Sequence, residues 1–413
     1  MKTSRLFPRL AAGAAVSAAL VLLASCGGGG GGGGGGNGGT PPPATTMGTV
    51  AVSLTDAPAC GFDAVNITVT KVRIHASNIA SDTDSGWTDI TLTPARKINL
   101  LNLSNGALEA LGQASLATGH YSQIRLVLDP NGAGGTANTV VPSGSLLERS
   151  LDTPSAVQSG IKLVNDFDVG ANQRVDLVLD FDACKSVVSK GNGSYALKPV
   201  VKVVPATLNG IGGFVSSALL GSHVAITAQQ NGAIIAATVP NASSGEFALT
   251  RLPAGNYDVV ITADDRAAGV VGAVPVAAGS TITALSTSAA PLTLPPSLQG
   301  SISGTVTLAP ASATEVATVT ARQVISGGPA VALRYQAADL LNGSYTLAKL
   351  PVAPIQYVSY SSALPLVFSS TATTPSSGIY RLDATAVGYA VKTNAAVDIG
   401  SINQTGINFN LTP

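Results

Sequence analysis

Apolar and polar residues alternate along most of the chain beyond residue 48. In 49–54, Val50, Val52 and Leu54 fall on one side. That period of two predicts a half-buried strand. Val65, Ile67 and Val69 keep the period, but Val72 and Ile74 fall out of phase. One extra residue near Thr70-Lys71 restores it, which predicts a β-bulge there. Segments 87–92 and 97–101 read as short strands, and 107–111 as one or two helical turns. In 120–129, Ile124, Leu126 and Leu128 face one way, and Tyr121, Gln123, Arg125 and Val127 the other. Segment 173–182 has a core face of Val175, Leu177, Leu179 and Phe181, with Asp180 and Asp182 opposite. Segment 195–204 reads as a last apolar strand of this region, and 131–135 as a turn cluster.

Further on, the pattern repeats. Gly245-Glu246-Phe247-Ala248-Leu249-Thr250-Arg251-Leu252-Pro253 has the same spacing as Gly343-Ser344-Tyr345-Thr346-Leu347-Ala348-Lys349-Leu350-Pro351. The first copy runs directly into Gly255-Asn256-Tyr257. In the second, the matching Gly378-Ile379-Tyr380 arrives only after an insertion, 353–377, that reads equally as a hairpin or an exposed loop. Residues 291–297 read as an exposed linker between the copies. Both copies resemble carboxypeptidase-regulatory-like, transthyretin-like sandwiches, marked by a Gly-x-Tyr strand after a Leu-Pro turn.

The start of the chain follows a different pattern. Lys2, Arg5 and Arg9 precede an apolar run from Ala11 to Leu23, then Leu23-Ala24-Ser25-Cys26. This order is that of a secretory signal. The run is short for a membrane span, which needs about 20 apolar residues. Its ending resembles the bacterial lipobox, which implies cleavage before Cys26 and lipidation of that cysteine. Gly27, where an inner-membrane retention signal would place Asp, implies the outer membrane of a Gram-negative cell, periplasmic or surface-facing. Ten glycines, 27–36, and Pro41-Pro42-Pro43 follow. They read as a disordered tether spanning roughly 25 Å.

Composition narrows the class. Charged residues make up 11% of the 413. Removing the signal leaves 19 basic residues against 22 acidic ones. No basic stripe is present, so nucleic acid is not an expected partner. Besides Cys26 there are two cysteines, Cys60 and Cys184. An even pair in an exported chain predicts a Cys60–Cys184 disulfide.

Candidate chemistry is sparse. His75, His120 and His223 lack metal-ligand spacing, and no Gly-x-Ser-x-Gly elbow occurs. No catalytic residue is assigned. The acidic residues Asp56, Asp180 and Asp182 lie near the two cysteines, so the disulfide would gather them. Carboxylates from such loops suit Ca²⁺, which takes 6–8 oxygen ligands. Asp56 as a turn cap, and Asp180 and Asp182 in ion pairs with Arg125 or Lys198, is the other reading.

A series of motifs carries one further resemblance. Leu54-Thr55-Asp56-Ala57-Pro58, Phe62-Asp63-Ala64-Val65, Val72-Arg73-Ile74-His75, Trp87 and Leu100-Leu101-Asn102-Leu103 occur in order. Gly119-His120-Tyr121-Ser122-Gln123-Ile124-Arg125-Leu126, Leu179-Asp180-Phe181-Asp182 and Leu197-Lys198-Pro199 follow. The series resembles the bacterial domain of unknown function 4382, which occurs in exported lipoproteins and implies no activity.

The expected fold is therefore all-β. A signal (1–25) and a lipidated tether (26–47) precede an antiparallel β-domain (48–207). Two transthyretin-like or immunoglobulin-like β-sandwiches follow (208–295 and 296–413). The expected function is noncatalytic: an envelope lipoprotein, anchored in the membrane by its lipid, acting as a binding or structural module. A glycan or an envelope protein is the expected partner, and carbohydrate binding rests on analogy with transthyretin-like sandwiches of polysaccharide-handling proteins. The alternative is an envelope enzyme using the acidic cluster, which requires His120, Asp180 and Asp182 in one open cleft.

Overall fold

The computed structural model describes residues 46–57, 61–132, 136–204, 206, 209–312 and 315–413. The signal, most of the tether, Cys26, Cys60 and part of the 131–135 turn cluster lie outside them. The chain is all-β, and Thr45–Pro413 form one unit.

The first domain holds β1 (Met47–Ala57), β2 (Phe62–His75), β3 (Thr88–Asn99), β4 (Glu109–Ala117), β5 (Gly119–Leu128), β6 (Thr139–Pro142), β7 (Arg149–Asp152), α1 (Pro154–Gln158), β8 (Ile161–Val169), β9 (Arg174–Asp182), α2 (Ala183–Ser186), β10 (Val187–Ser189), β11 (Tyr195–Leu197) and β12 (Val201–Val204). One sheet has the order β12-β9-β1-β4. The other runs β10-β11-β7-β6-β2-β5-β8, with β3 beside β2. Their facing sides meet in one core that includes Val52, Leu54, Ile67, Leu126, Leu179 and Phe181. The domain is mixed, not purely antiparallel, because β1 and β9 pair in parallel at the centre of their sheet.

The predicted bulge is present. Pairing of β2 with both β3 and β5 shifts register between Val69 and Lys71. The core face of 173–182 also forms, with Leu177, Leu179 and Phe181 buried. Other segments differ. The two strands read from 87–92 and 97–101 are joined in β3, which ends at a 3-10 helix, Leu100–Leu103, capped by the Asn99 side chain. Segment 107–111 is not helical: β4 begins at Glu109, opposite Leu54. Ladder pairing with β1 overrides the helix propensity of Ala-Leu-Glu-Ala-Leu. Segment 195–204 is two strands in different sheets. Pro199, which has no N–H to give a ladder, lies between them.

The first sandwich contains β13 (Gly210–Phe214), β14 (Ala225–Gln230), β15 (Ala233–Thr238), β16 (Glu246–Thr250), β17 (Gly255–Thr262), β18 (Gly269–Val276) and β19 (Ile282–Ala284). The second contains β20 (Gln299–Leu308), β21 (Thr318–Ile325), β22 (Ala330–Ala337), β23 (Ser344–Pro351), β24 (Gln356–Ser359), β25 (Ser369–Ser370), β26 (Thr373–Thr374), β27 (Ile379–Thr385), β28 (Lys392–Asp398) and β29 (Phe409–Leu411). The sequence repeat is a structural repeat. Sheets β16-β13-β19 and β15-β14-β17-β18 are matched, strand for strand, by β23-β20-β29 and β22-β21-β27-β28. The motif tyrosines are anchored alike. Tyr257 Oη donates to Pro253 O at 2.7 Å, and Tyr380 Oη to Pro351 O at 2.5 Å, across the insertion.

The insertion is neither free loop nor isolated hairpin. Its β24 adds in parallel to β18, the edge of the first sandwich, and β25 pairs with β24. Gly269 and Gly272 of β18 make room: a Cβ at Gly272 would lie 2.5 Å from Tyr357 Oη. Val358, Tyr360, Leu366 and Phe368 of the insertion pack on the first sandwich's core. In return, Val260, Ala268 and Val270 join the core of the second. The segment read as an exposed linker is also docked. Leu292 and Leu294 are each 4% exposed, and Leu292 N–H donates to Phe214 O at 2.8 Å. Leu292 bridges to Val215, just past the end of β13, and burial of the two apolar side chains is favoured over solvent.

Candidate functional site

The acidic residues that the sequence nominates stand at the C-terminal ends of β1 and β9. Parallel register sets Thr55 opposite Asp180, Asp56 opposite Phe181, and Ala57 opposite Asp182. Aligned residues share a face, so Asp56 lies on the Phe181 side and Asp180 and Asp182 on the other. Asp56 and Asp180 nonetheless line one cleft, and Asp180 feels the charge of Asp182.

Each has a structural role. Asp56 is 5% exposed and accepts from Ala183 N at 3.1 Å, at the start of α2. Asp182 caps α2 by accepting from Lys185 N at 3.0 Å, and its other oxygen meets Lys185 Nζ at 2.8 Å. Asp180 faces Lys202 Nζ at 3.6 Å, from the directly paired position of β12. The ion-pair reading is therefore the one observed, with Lys202 and Lys185 in place of Arg125 and Lys198. Among the described residues, no group of three or more His, Cys, Asp or Glu side chains is placed to hold a metal ion.

Cys184 sits in α2 and is disulfide-bonded. The Cys60 half of the expected bridge lies outside the described residues.

Asp56 and Asp180 also border a cleft of about 180 Å³ between the first domain and the first sandwich, lined by Thr55, Asn105, Lys202, Ile235 and Arg251 among others. Contacts across it are polar. Asn105 Oδ1 accepts from Thr238 Oγ1 at 2.6 Å and Ala248 N at 3.1 Å. Arg251 Nη1 donates to Gly106 O at 3.2 Å, and Lys202 Nζ donates to Ile235 O. Asn105 and Arg251 were not singled out in the sequence. Asn105-Gly106 is a turn signal and Arg251 a repeat position, and neither signal reveals a partner 133 to 145 residues away in the next module.

Burial raises the pKa of Asp180, against the attraction of Lys202. The folded state therefore favours the protonated acid. Its contribution is fully present below the unfolded value, about 3.9, and is lost as pH rises through the raised folded value. Asp180→Asn is accordingly expected to raise the melting temperature at pH 7, with the gain shrinking toward pH 4. A gain that is constant across that range, or a loss at pH 7, contradicts this.

His120 is elsewhere. It opens β5 and bonds Asp168 Oδ1 at 2.9 Å, with Asp166 at 3.4 Å, all on exposed cross-strand positions. The hydrogen bond to Asp168 is the main cause of its raised pKa. Gly119 pairs with Val169, which leads to Arg174 at the start of β9. Asp180 and Asp182 are at the far end of that strand. The arrangement required by the enzyme alternative is not formed.

The remaining motif residues also staple the fold. Thr55 Oγ1 meets Leu103 O and Ala107 O at 3.1 and 2.9 Å. Arg125, expected on an outer face, is 5% exposed because the loop after β2 covers it: Nη2 donates to Ala80 O at 2.6 Å. Trp87 Nε1 donates to Ser81 O at 2.8 Å. Its ring has Arg73 and Arg125 each 4.8 Å from the centroid and His75 at 4.9 Å, so the ring is already stacked.

Residues 47–199 match the family described as a domain of unknown function (DUF4382). The motifs quoted above fall within that span. No curated protein matches the chain. Among solved structures, the Corynebacterium diphtheriae major pilin SpaA is 12% identical over 89% of this chain and all of that one, with a TM-score of 0.19. A Streptococcal ancillary pilin is 8% identical over 88% of this chain and 99% of its own, at 0.17. The Bacillus anthracis TIE protein is 10% identical over 89% of this chain, at 0.16; the chain spans about half of that protein, 51%. Scores this low carry no functional argument.

Proposed function

We propose that the protein is a noncatalytic structural module of the cell envelope, a rigid β-body held at the end of a lipidated tether. The supporting observation is the use made of its polar motif residues. Asp56, Asp180, Asp182, Arg125 and Trp87 all make contacts that hold loops, strands or modules together. The matching strand order and Tyr-to-Pro hydrogen bonds favour assigning both sandwiches to the carboxypeptidase-regulatory-like class.

Anchorage is the part of this reading that rests on sequence alone, through Leu23-Ala24-Ser25-Cys26. Cys26→Ser is expected to abolish lipidation and shift the protein from the membrane fraction. Fractionation of envelopes, with mass spectrometry of the N-terminus, checks it. Unchanged membrane retention of Cys26→Ser, or an unmodified wild-type Cys26, removes the anchor from the proposal. Glycan binding is a separate question: the half-buried Trp87 ring is already stacked with Arg73, Arg125 and His75.

A further inference from the structure

One edge of the first domain is left open. β8 ends its sheet, with β5 on one side and, among the described residues, no strand on the other. The outward N–H and C=O groups of such an edge are a template for a further strand. β8 contains no proline to block one, and its charges stand in a particular order. Alternation buries Ile161, Leu163 and Val169 and exposes Lys162, Val164, Asp166 and Asp168. Val164 is 62% exposed. Lys162 lies two residues before it and Asp166 two residues after. Among the described residues, Lys162 makes no ion pair, and the 70% exposed Asp166 side chain meets His120 alone, at 3.4 Å.

That order is its own complement. When a second β8 runs antiparallel with Val164 opposite Val164, Lys162 of each copy falls opposite Asp166 of the other. Asp168 takes the diagonal place beside Lys162. A two-fold pair therefore covers two exposed valines and forms two ion pairs across strands. In-register parallel pairing would set like charges side by side. A slip of one residue would set the outer face of one copy against the core face of the other. The β5–β8 ladder holds a bulge between Val164 and Phe167, which twists the edge and keeps the pairing short.

We infer that β8 is a self-association edge, and that its partner is β8 of a second copy of this chain, antiparallel about Val164. So short a contact gives a weak, concentration-dependent dimer and not a permanent one. The inference goes beyond the structural reading above and does not depend on the lipid anchor.

Sedimentation velocity of the mature chain carrying Cys26→Ser, which keeps lipid out of the measurement, tests it. A monomer–dimer equilibrium is expected, shifting with concentration and weakening with salt. Lys162→Asp and Asp166→Lys each set like charges at both cross-strand contacts, and each is expected to weaken dimerisation by at least about tenfold. Mixed in equal amounts, the two variants are expected to form a heterodimer, because every like-charge contact then becomes an opposite-charge one. Val164→Cys checks the register: under mild oxidation it should cross-link to itself, as directly opposed cysteines can. The inference is overturned if the chain stays monomeric up to about 1 mM, the weak end of the affinity scale. It is equally overturned if either single reversal dimerises as well as the unaltered edge, if the mixture stays monomeric, or if Val164→Cys does not cross-link.

Discussion

Gly343→Ala is expected to destabilise the protein by about 3 kcal/mol, combining a left-handed backbone cost of about 1–2 kcal/mol with steric displacement. Gly343 has φ +69°, and an added Cβ would sit 2.1 Å from Val306 O. That carbonyl belongs to the neighbouring strand β20 and cannot rotate away, because Val306 N–H is itself bonded to Gly343 O at 2.8 Å. Gly245 is the same position in the first sandwich: φ +71°, with Val215 O 2.3 Å from the added Cβ and Val215 N–H bonded to Gly245 O at 2.9 Å. The first glycine of the repeated motif is thus fixed by close approach of a backbone. Gly327 is the control. Its φ is +69°, but nothing lies within 4 Å of an added Cβ. Gly327→Ala should cost only about 1 kcal/mol, the conformational part alone. Urea unfolding of both variants measures the difference, and equal costs would show that close approach is not what selects Gly343.

The same motif shows what could be read in advance. Period-two patterns found the core strands and even the Thr70-Lys71 bulge, because a one-residue slip moves every later side chain to the other face. The repeat was visible because each copy solves the same turn and packing problem. Partners across modules were not visible. The 353–377 segment has an ordinary strand-forming composition, and the edge strand and core that receive it, with Gly272 making room for Tyr357, lie elsewhere in the sequence. The placement of the acidic residues was hidden for a related reason. Nearness to two cysteines says nothing about parity, and the parallel β1–β9 register sets Asp56 on the opposite face from Asp180. Conversely, Arg125 carries no sequence sign that a loop covers it. These are long-range placements that local pattern does not encode.

Gln229→Leu is expected to cost about 2–4 kcal/mol, since it strands one buried donor and one buried acceptor at about 1–3 kcal/mol each. Gln229 is fully buried on β14 of the first sandwich. Its Nε2 donates to Ala332 O at 2.8 Å, and its Oε1 accepts from Ala332 N at 2.9 Å. Ala332 lies on β22, the edge strand of the second sandwich. The amide therefore supplies to that edge the pair of bonds that another strand would give. Leu keeps most of the volume and removes both bonds, so the effect reports hydrogen bonding and not a cavity. Gln229→Glu gives a sharper test. A carboxylate can still accept from Ala332 N, but it cannot donate to Ala332 O, and a charge would be buried. It should be worse than Leu at neutral pH and recover as the carboxyl is protonated in acid. Arg322, bonded to Gly232 O, and Arg334, 3.3 Å from Asp264, join the same two sandwiches from more exposed positions. Screened contacts of that kind contribute less. If Gln229 is the main polar tie, the Leu variant should also separate one unfolding transition into two. A cost below about 0.5 kcal/mol, typical of an ordinary surface change, would contradict the assignment.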